Sequence, residues 1–384
     1  MCQGRREIVP AGRSETVREG SAFNRGSGAI SGTEREARYR RAGLNERVDE
    51  FEFFLEKPWS DGFPVVTPTE EWISRMLAQT KRDYKEVIDP IPPAMEIATV
   101  RTVAVHALMA GCRPEYLPVV LGATELTLRE EFHVNGVQGT MHGLAPMMIV
   151  NGPYPAEIGV HGGNGCLGPG FRANATIGRA IWLILMNLGA RIPVISSMTI
   201  FGMLSRYTYY LTENMEDHPW DSLAVSKGYR PDENVITMAM VESPRFCFYD
   251  VSDGSDRLLL GIADTMAAMG SWNMHARSDM VVAMGPQHAG ICARAGLRHR
   301  DVHRRLCELA GRKVGGLKAG GNWRRERALA LPIKVDPDDD DWFVPAIKDP
   351  EDLQLIVAGG WGPCTAAWHG WSGGSRAVHG TYQV

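Results

Sequence analysis

Short apolar runs, each closed by glycine or proline, recur along the chain. Residues 147–150 read MMIV and stop at Asn151-Gly152-Pro153. Residues 280–284 read MVVAM and stop at Gly285-Pro286, and residues 355–358 read LIVA before Gly-Gly-Trp-Gly-Pro. Runs of this length with sharp stops predict buried strands. Residues 235–241, 246–251 and 193–195 predict further strands. Between them, apolar spacing at three and four residues predicts helices. These cover 70–79 behind a Thr69 cap, 100–109 stopped by Gly111, 173–187 closed by Gly189, 258–269 ending at Gly270, and 288–295. Alternating strands and helices predict an α/β fold, a mixed sheet with helices on both faces.

The chain reads in three parts. Residues 1–45, rich in arginine, glycine, serine and glutamate without apolar periodicity, predict a disordered tail. Residues 46–230 predict an α/β domain, and 231–384 a second α/β domain or half. The first and third strand junctions share an order of apolar run, Gly-Pro break, histidine and further glycine, which chance or a duplicated unit explains equally well.

The stretch 147–190 carries the most chemistry. A strand leads into Gly162, Gly163, Gly165, Gly168 and Gly170 around Cys166, and then into a helix. Glycines allow positive φ and close approach to the backbone. A helix start offers unpaired N–H groups to an anion. Arg172 adds a charge at the same end. Cys166 there is expected to have a lowered thiol pKa and to serve as nucleophile or metal ligand; the plainer alternative is a small buried residue in a tight loop. Gly163, Gly165 and Gly168 also fit G-x-G-x-x-G, but Pro153, Pro155 and Pro169 break the strand-turn-helix continuity that a dinucleotide site needs.

Composition narrows the classes. The 384 residues are 44% apolar and 22% charged with a net charge of −4, which gives no basic signature of a nucleic-acid binder. Seven cysteines without a C-x-x-C pair predict reduced thiols. No apolar run is long enough to span a bilayer, and no secretory pattern opens the chain, so the expectation is cytoplasmic with no membrane partner.

Other candidates each have a bland alternative. Glu130 and His133 form one E-x-x-H without the second copy a di-iron bundle needs. His142 lies on a polar loop suited to a ligand contact. Glu213 and Glu216 predict an exposed helix end or acid/base carboxylates. His299 and His303, at i and i+4, suit a metal pair, but the arginines around them favour a solvated basic helix. Residues 315–322, with Lys318 among glycines, predict a flexible connection or a phosphate-contacting loop. The acidic run 338–341 would balance the basic segment before it.

If the strand ends lie side by side, Cys166, His161, His288, His369 and Arg376 converge on one cleft. The expected function is an enzyme acting on a small anionic molecule by lyase, hydratase or thiol-transfer chemistry. Cys166, His161, His288 and His369 are the expected catalytic residues, since a histidine titrates near neutral pH. Asn151, Gly163, Gly165, Arg172, Asn174 and Ser197, a hydroxyl at a strand end, are the expected substrate contacts. A version with a divalent metal would add Glu125 or Glu213. The alternative is a non-catalytic ligand-binding protein or a subunit of a larger complex; a homo-oligomer or a partner subunit is expected in either case.

Four phrases also resemble a known family: Asp61-Gly62-Phe63-Pro64-Val65-Val66-Thr67-Pro68-Thr69, Ala110-Gly111-Cys112-Arg113-Pro114-Glu115-Tyr116, Ile149-Val150-Asn151-Gly152-Pro153, and Arg172-Ala173-Asn174-Ala175-Thr176-Ile177-Gly178-Arg179. Together they resemble the bacterial UGSC-like proteins, named for a selenocysteine or cysteine motif and without an assigned reaction. The likeness covers residues 60–225. The chain has no Cys-Gly-Ser-Cys, so that motif does not carry over. The resemblance implies a soluble bacterial enzyme-like protein.

Overall fold

A computed structural model of the protein describes residues 50–384 apart from 193–194, 249–253, 275–277, 322, 332 and 372. The tail expected over 1–45 lies outside the described residues. The strands are β1 (Val87–Ile91), β2 (Glu96–Thr99), β3 (Ala145–Asn151), β4 (Tyr210–Thr212), β5 (Val235–Val241), β6 (Arg245–Phe248), β7 (Met280–Met284), β8 (Gly311–Lys313), β9 (Phe343–Pro345), β10 (Leu353–Val357), β11 (Cys364–His369) and β12 (Val378–Thr381). The longer helices are α1 (Glu70–Leu77), α2 (Val100–Met109), α3 (Leu117–Thr127), α4 (Arg172–Asn187), α5 (Ser255–Met266), α6 (Pro286–Arg294) and α7 (His299–Leu309).

The fold is α/β with mixed sheets. One four-stranded sheet has the order β12-β5-β3-β4 and the other β10-β7-β11-β6. In both, a central strand (β3 or β7) pairs parallel with a later one (β4 or β10) and antiparallel with a third (β5 or β11). The fourth strand crosses over. β6 follows β5 in the chain but pairs with β11, and β12 follows β11 but pairs with β5. The topology therefore matches β3 with β7, the first junction with the second. The boundary expected near residue 230 does not part the sheets, because β5 and β12 complete the sheet that β3 begins. Residues 49–384 pack as one unit.

The continuous apolar runs follow from this layering. Side chains alternate faces along a strand, so a strand buried on both sides has no polar face. Met148 and Val150 of β3 pack into a core with Val103 and Ala107 of α2, Val119 of α3, and Ile177 and Ile181 of α4. Met147 and Ile149 point the other way and meet Val281 and Ala283 of β7 in a layer between the sheets. Val282 and Met284 then face Leu259 and Ile262 of α5 and Leu306 of α7. The order is helices, sheet, sheet, helices. Each fully buried Met, Ile or Val in this stack contributes roughly 1.5–3 kcal/mol.

Local signals behave as expected at many ends. The Thr69 hydroxyl accepts the Trp72 N–H at 3.4 Å and starts α1. Thr99 and Thr102 cap α2 reciprocally. Some expectations change. Residues 193–194 lie outside the described set and Ile195 is in a turn, and the strand expected over 246–251 is described as Arg245–Phe248. Glu130–Phe132 is one 3-10 turn and His133 is left-handed with φ 54°, so Glu130 and His133 do not share a helix face. Glu213 lies beyond β4 and not on an exposed helix: it is 2% exposed. The histidines of α7 turn inward, His299 to the Leu355 carbonyl at 3.0 Å and His303 to the Leu353 carbonyl at 3.2 Å, and so do not form a solvated face. Val314–Ala319 is helical, and the acidic run answers the basic segment through Lys318–Asp340 and Lys313–Asp341, each at 2.7 Å.

Candidate functional site

The glycine loop after β3 is pinned from three sides. The Gly162 carbonyl accepts the Gly359 N–H at 2.8 Å, which ties the loop to the end of β10. The α-carbon of Gly162 lies so close to the chain after β4 that a Cβ would come within 2.5 Å of the Glu213 carbonyl oxygen. From α4, the Asn174 side chain accepts the His161 N–H at 2.9 Å and donates to the carbonyls of His161 (2.8 Å) and Cys166 (3.0 Å). Gly165 and Gly168 have φ of +75° and +85°, a conformation that side chains disfavour. The His161 ring stacks on Phe171 with 3.8 Å between centroids.

Over this loop lies a cavity of about 510 Å³, within the range of small-molecule sites. Cys166 and residues 167–171 form one wall, Asn174 and Ala175 of α4 another, and Leu204, Ser205, Thr208, Tyr209, Tyr210 and Pro244 the rest. Cys166 is 7% exposed and belongs to the layer between the sheets. The backbone amides of Gly359, Cys166 and Leu167 lie near its sulfur and favour the thiolate. Even so, burial pushes the thiol pKa up, and the three amides offset this only in part. The lowered pKa expected from the sequence is therefore wrong in direction. The loop does present amides, but it does so inside an apolar layer. A second concavity, of about 730 Å³, is lined by none of these residues; there Arg82 pairs with Glu86 and Glu125.

The expected residues divide. Cys166 and Asn174 line the cavity, although Asn174 spends its amide on the loop. Arg172 is turned away and donates twice to the Gly111 carbonyl, at 3.1 and 2.9 Å. Gly163 and Gly165 lie in the outer part of the loop and do not line the cavity. His161 Nε2 bonds the Asn164 carbonyl at 2.9 Å. Asn151 donates to Glu213 at 2.7 Å within the interior. Ser197 is 4% exposed, and its N–H donates to the Ile192 carbonyl at 3.1 Å.

The histidines do not converge. β11 runs antiparallel to β7, so Thr365 lies opposite Met284 and His369 opposite Met280. Four residues of strand, about 13 Å, separate the two ends. His288 bonds Thr365 at 2.8 Å at one end, fully buried. At the other, His369 Nε2 donates to the Met266 carbonyl at 2.7 Å, and its Nδ1 accepts from Arg245. Arg376 pairs with Asp352 at 2.5 Å, at the start of β10 and not by Cys166. What does meet Cys166 is the loop after β10, because both sheets end there.

Two buried networks were not anticipated. The Glu213 carboxylate accepts from Asn151 Nδ2 (2.7 Å), His218 Nε2 (2.9 Å), Leu223 N (2.8 Å) and Val357 N (3.3 Å). His218 Nδ1 accepts the Trp220 N–H at 3.2 Å, which leaves the proton on Nε2. This carboxylate joins the ends of β3, β4 and β10 beneath the Cys166 loop. The apolar Tyr-Tyr-Leu before it was the available signal of a strand. The second network is His142 to Glu242 at 2.8 Å, Glu242 to Arg245 at 3.2 Å, and Arg245 to His369. Burial raises the Glu242 pKa, but the His142 hydrogen bond and the Arg245 charge bring it below its ordinary value.

Among the described residues no three His, Cys, Asp or Glu side chains come together as a metal-holding group. No helix among them is long and apolar enough to cross a membrane. Glu125 is paired with Arg82 at 2.6 Å. No protein-family model matches the chain, and no curated protein matches it in sequence.

Proposed function

We propose that the protein is an enzyme that reacts a small molecule with the Cys166 thiol in the cavity above it. The observation that carries this reading is the sulfur itself, which lines the cavity with the backbone amides of Gly359, Cys166 and Leu167 near it. Fixed amides stabilise negative charge where it develops, and they act most strongly in a dry site. As the sulfur forms its bond to the substrate, the substrate's bond to its leaving group breaks and the departing group takes the thiol proton, so the step needs no separate base. Of lyase, hydratase and thiol-transfer chemistry, thiol transfer fits best. The cavity lining holds a thiol and no histidine or carboxylate, the groups the other two reactions would use as a base. The aromatic and aliphatic walls suit an apolar body, and the amides near Cys166 suit a carboxylate or other anionic head.

One observation favours a ligand-binding protein without chemistry: no histidine or carboxylate among the described residues hydrogen-bonds the Cys166 thiol. Alkylation with iodoacetate and with iodoacetamide separates the readings. A reactive anion site makes Cys166 prefer iodoacetate, with saturation, relative to the half-buried Cys364. Equal preference at both cysteines, or modification of Cys166 only after unfolding, removes the enzyme reading.

A further inference from the structure

Arg191 is 1% exposed, and its Nε, Nη1 and Nη2 all lack a hydrogen-bond partner. A guanidinium has five donors and keeps its charge, so burying it alone is among the costliest arrangements in a fold. Burial and the nearby Arg206 lower its pKa to about 9, which still leaves it charged at neutral pH. Its guanidinium carbon lies 4.7 Å from the ring centre of Trp182 on α4, and that of Arg206 lies 5.3 Å from the same ring. Arg206 is 8% exposed and donates to the Leu144 carbonyl at 2.9 Å and the His142 carbonyl at 3.4 Å. Among the described residues neither arginine has a carboxylate partner. Two like charges thus share one buried ring without an answering charge.

A third group points the same way. The Ser197 hydroxyl is buried and unpartnered, and the Ser197 N–H donates at 3.1 Å to the carbonyl of Ile192, the residue next to Arg191. Unpaired buried polar groups are few in folded proteins, and one reason for them is an ion that belongs there. Here the unpaired groups are the three guanidinium nitrogens of Arg191, beside a second charge on Arg206, and a hydroxyl six residues along the chain. We infer that Arg191, Arg206 and Ser197 form an internal binding site for a small oxyanion, held beside Trp182. The guanidinium fork would bind two of its oxygens, Ser197 would donate to it, and Arg206 would supply the second charge. None of these side chains lines the Cys166 cavity, so the site does not rest on the thiol reading.

Thermal unfolding of the whole protein tests this, with inorganic phosphate, sulfate or acetate titrated against potassium chloride at matched ionic strength. The expected result is a saturable rise in Tm with at least one oxyanion, absent in Arg191→Met. The same variant should melt no lower than wild type in oxyanion-free buffer, because the charge it removes has no partner. Ser197→Ala, a milder change, should keep the rise but need about tenfold more anion, the loss of one hydrogen bond to a charged group. A wild-type Tm that follows ionic strength alone overturns the site. So does an unchanged saturable response in Arg191→Met or, should that variant not fold, in Ser197→Ala.

Discussion

Glu213 Oε1 lies 2.9 Å from His218 Nε2, with neither side chain reaching solvent. The carboxylate also serves Asn151, Leu223 and Val357, so four donors depend on one acceptor group. Glu213→Gln keeps the shape but turns an amide N–H toward donors. A buried donor left facing another donor costs about 1–3 kcal/mol. The variant should unfold at a clearly lower urea midpoint, and an unchanged midpoint would show that Glu213 does not hold the strand ends together.

Acid should destabilise the protein through its buried neutral histidines. Burial, with the Arg245 charge, depresses the His369 pKa to about 4; burial, with the Lys227 charge, does the same to His379. The unfolded chain takes up these protons near pH 6.5 and the folded chain only near pH 4. Stability is therefore full above about pH 6.5 and falls as pH drops toward 4, by up to about 3 kcal/mol for His369. Urea unfolding at pH 7 and pH 5 checks this. His379→Gln should show a smaller loss across the interval than wild type.

Gly162→Ala should disturb the loop more than most glycine substitutions. The added methyl would meet the Glu213 carbonyl oxygen at 2.5 Å, and both partners are backbone. Overpacking of this kind costs typically about 1–3 kcal/mol. The expected outcome is a lower Tm together with a changed alkylation rate at Cys166. An unaltered rate would mean that the thiol's position does not depend on this contact.

Asn174→Asp tests the clasp on the same loop. A carboxylate can still accept the His161 N–H, but it cannot donate to the carbonyls of His161 and Cys166. The loss should be about 1–3 kcal/mol, the cost of leaving buried acceptors unpaired. Cys166 should be alkylated faster as the loop loosens. Retention of wild-type stability would show that the two carbonyls find other donors.

Most of the elements were legible because their signals are local. Thr69, the Gly111 stop, and the runs at 235–241 and 280–284 each mark an end by backbone chemistry alone. The layering was harder to read: a strand apolar on both faces looks the same whether helices or a second sheet cover it. At the site, the glycine loop and Cys166 showed through composition, and the cavity does lie there. The histidines misled because spacing along the chain carries no strand direction. His369 comes just after a Gly-Pro junction in sequence, yet antiparallel pairing takes it to the far end of the sheet. The inward turn of Glu213 was hidden for a similar reason, since its partners Asn151 and Val357 lie 62 and 144 residues away.

The crossing of β6 and β12 has a consequence for how the chain reaches its native state. A protein cut between Phe248 and Gly254 would yield one piece with β3 to β6 and another with β7 to β12. Each would lack a border strand and hold a spare one that fits only its counterpart. Neither piece should be stable by itself, while the two mixed together should reassemble and remain associated without a covalent link.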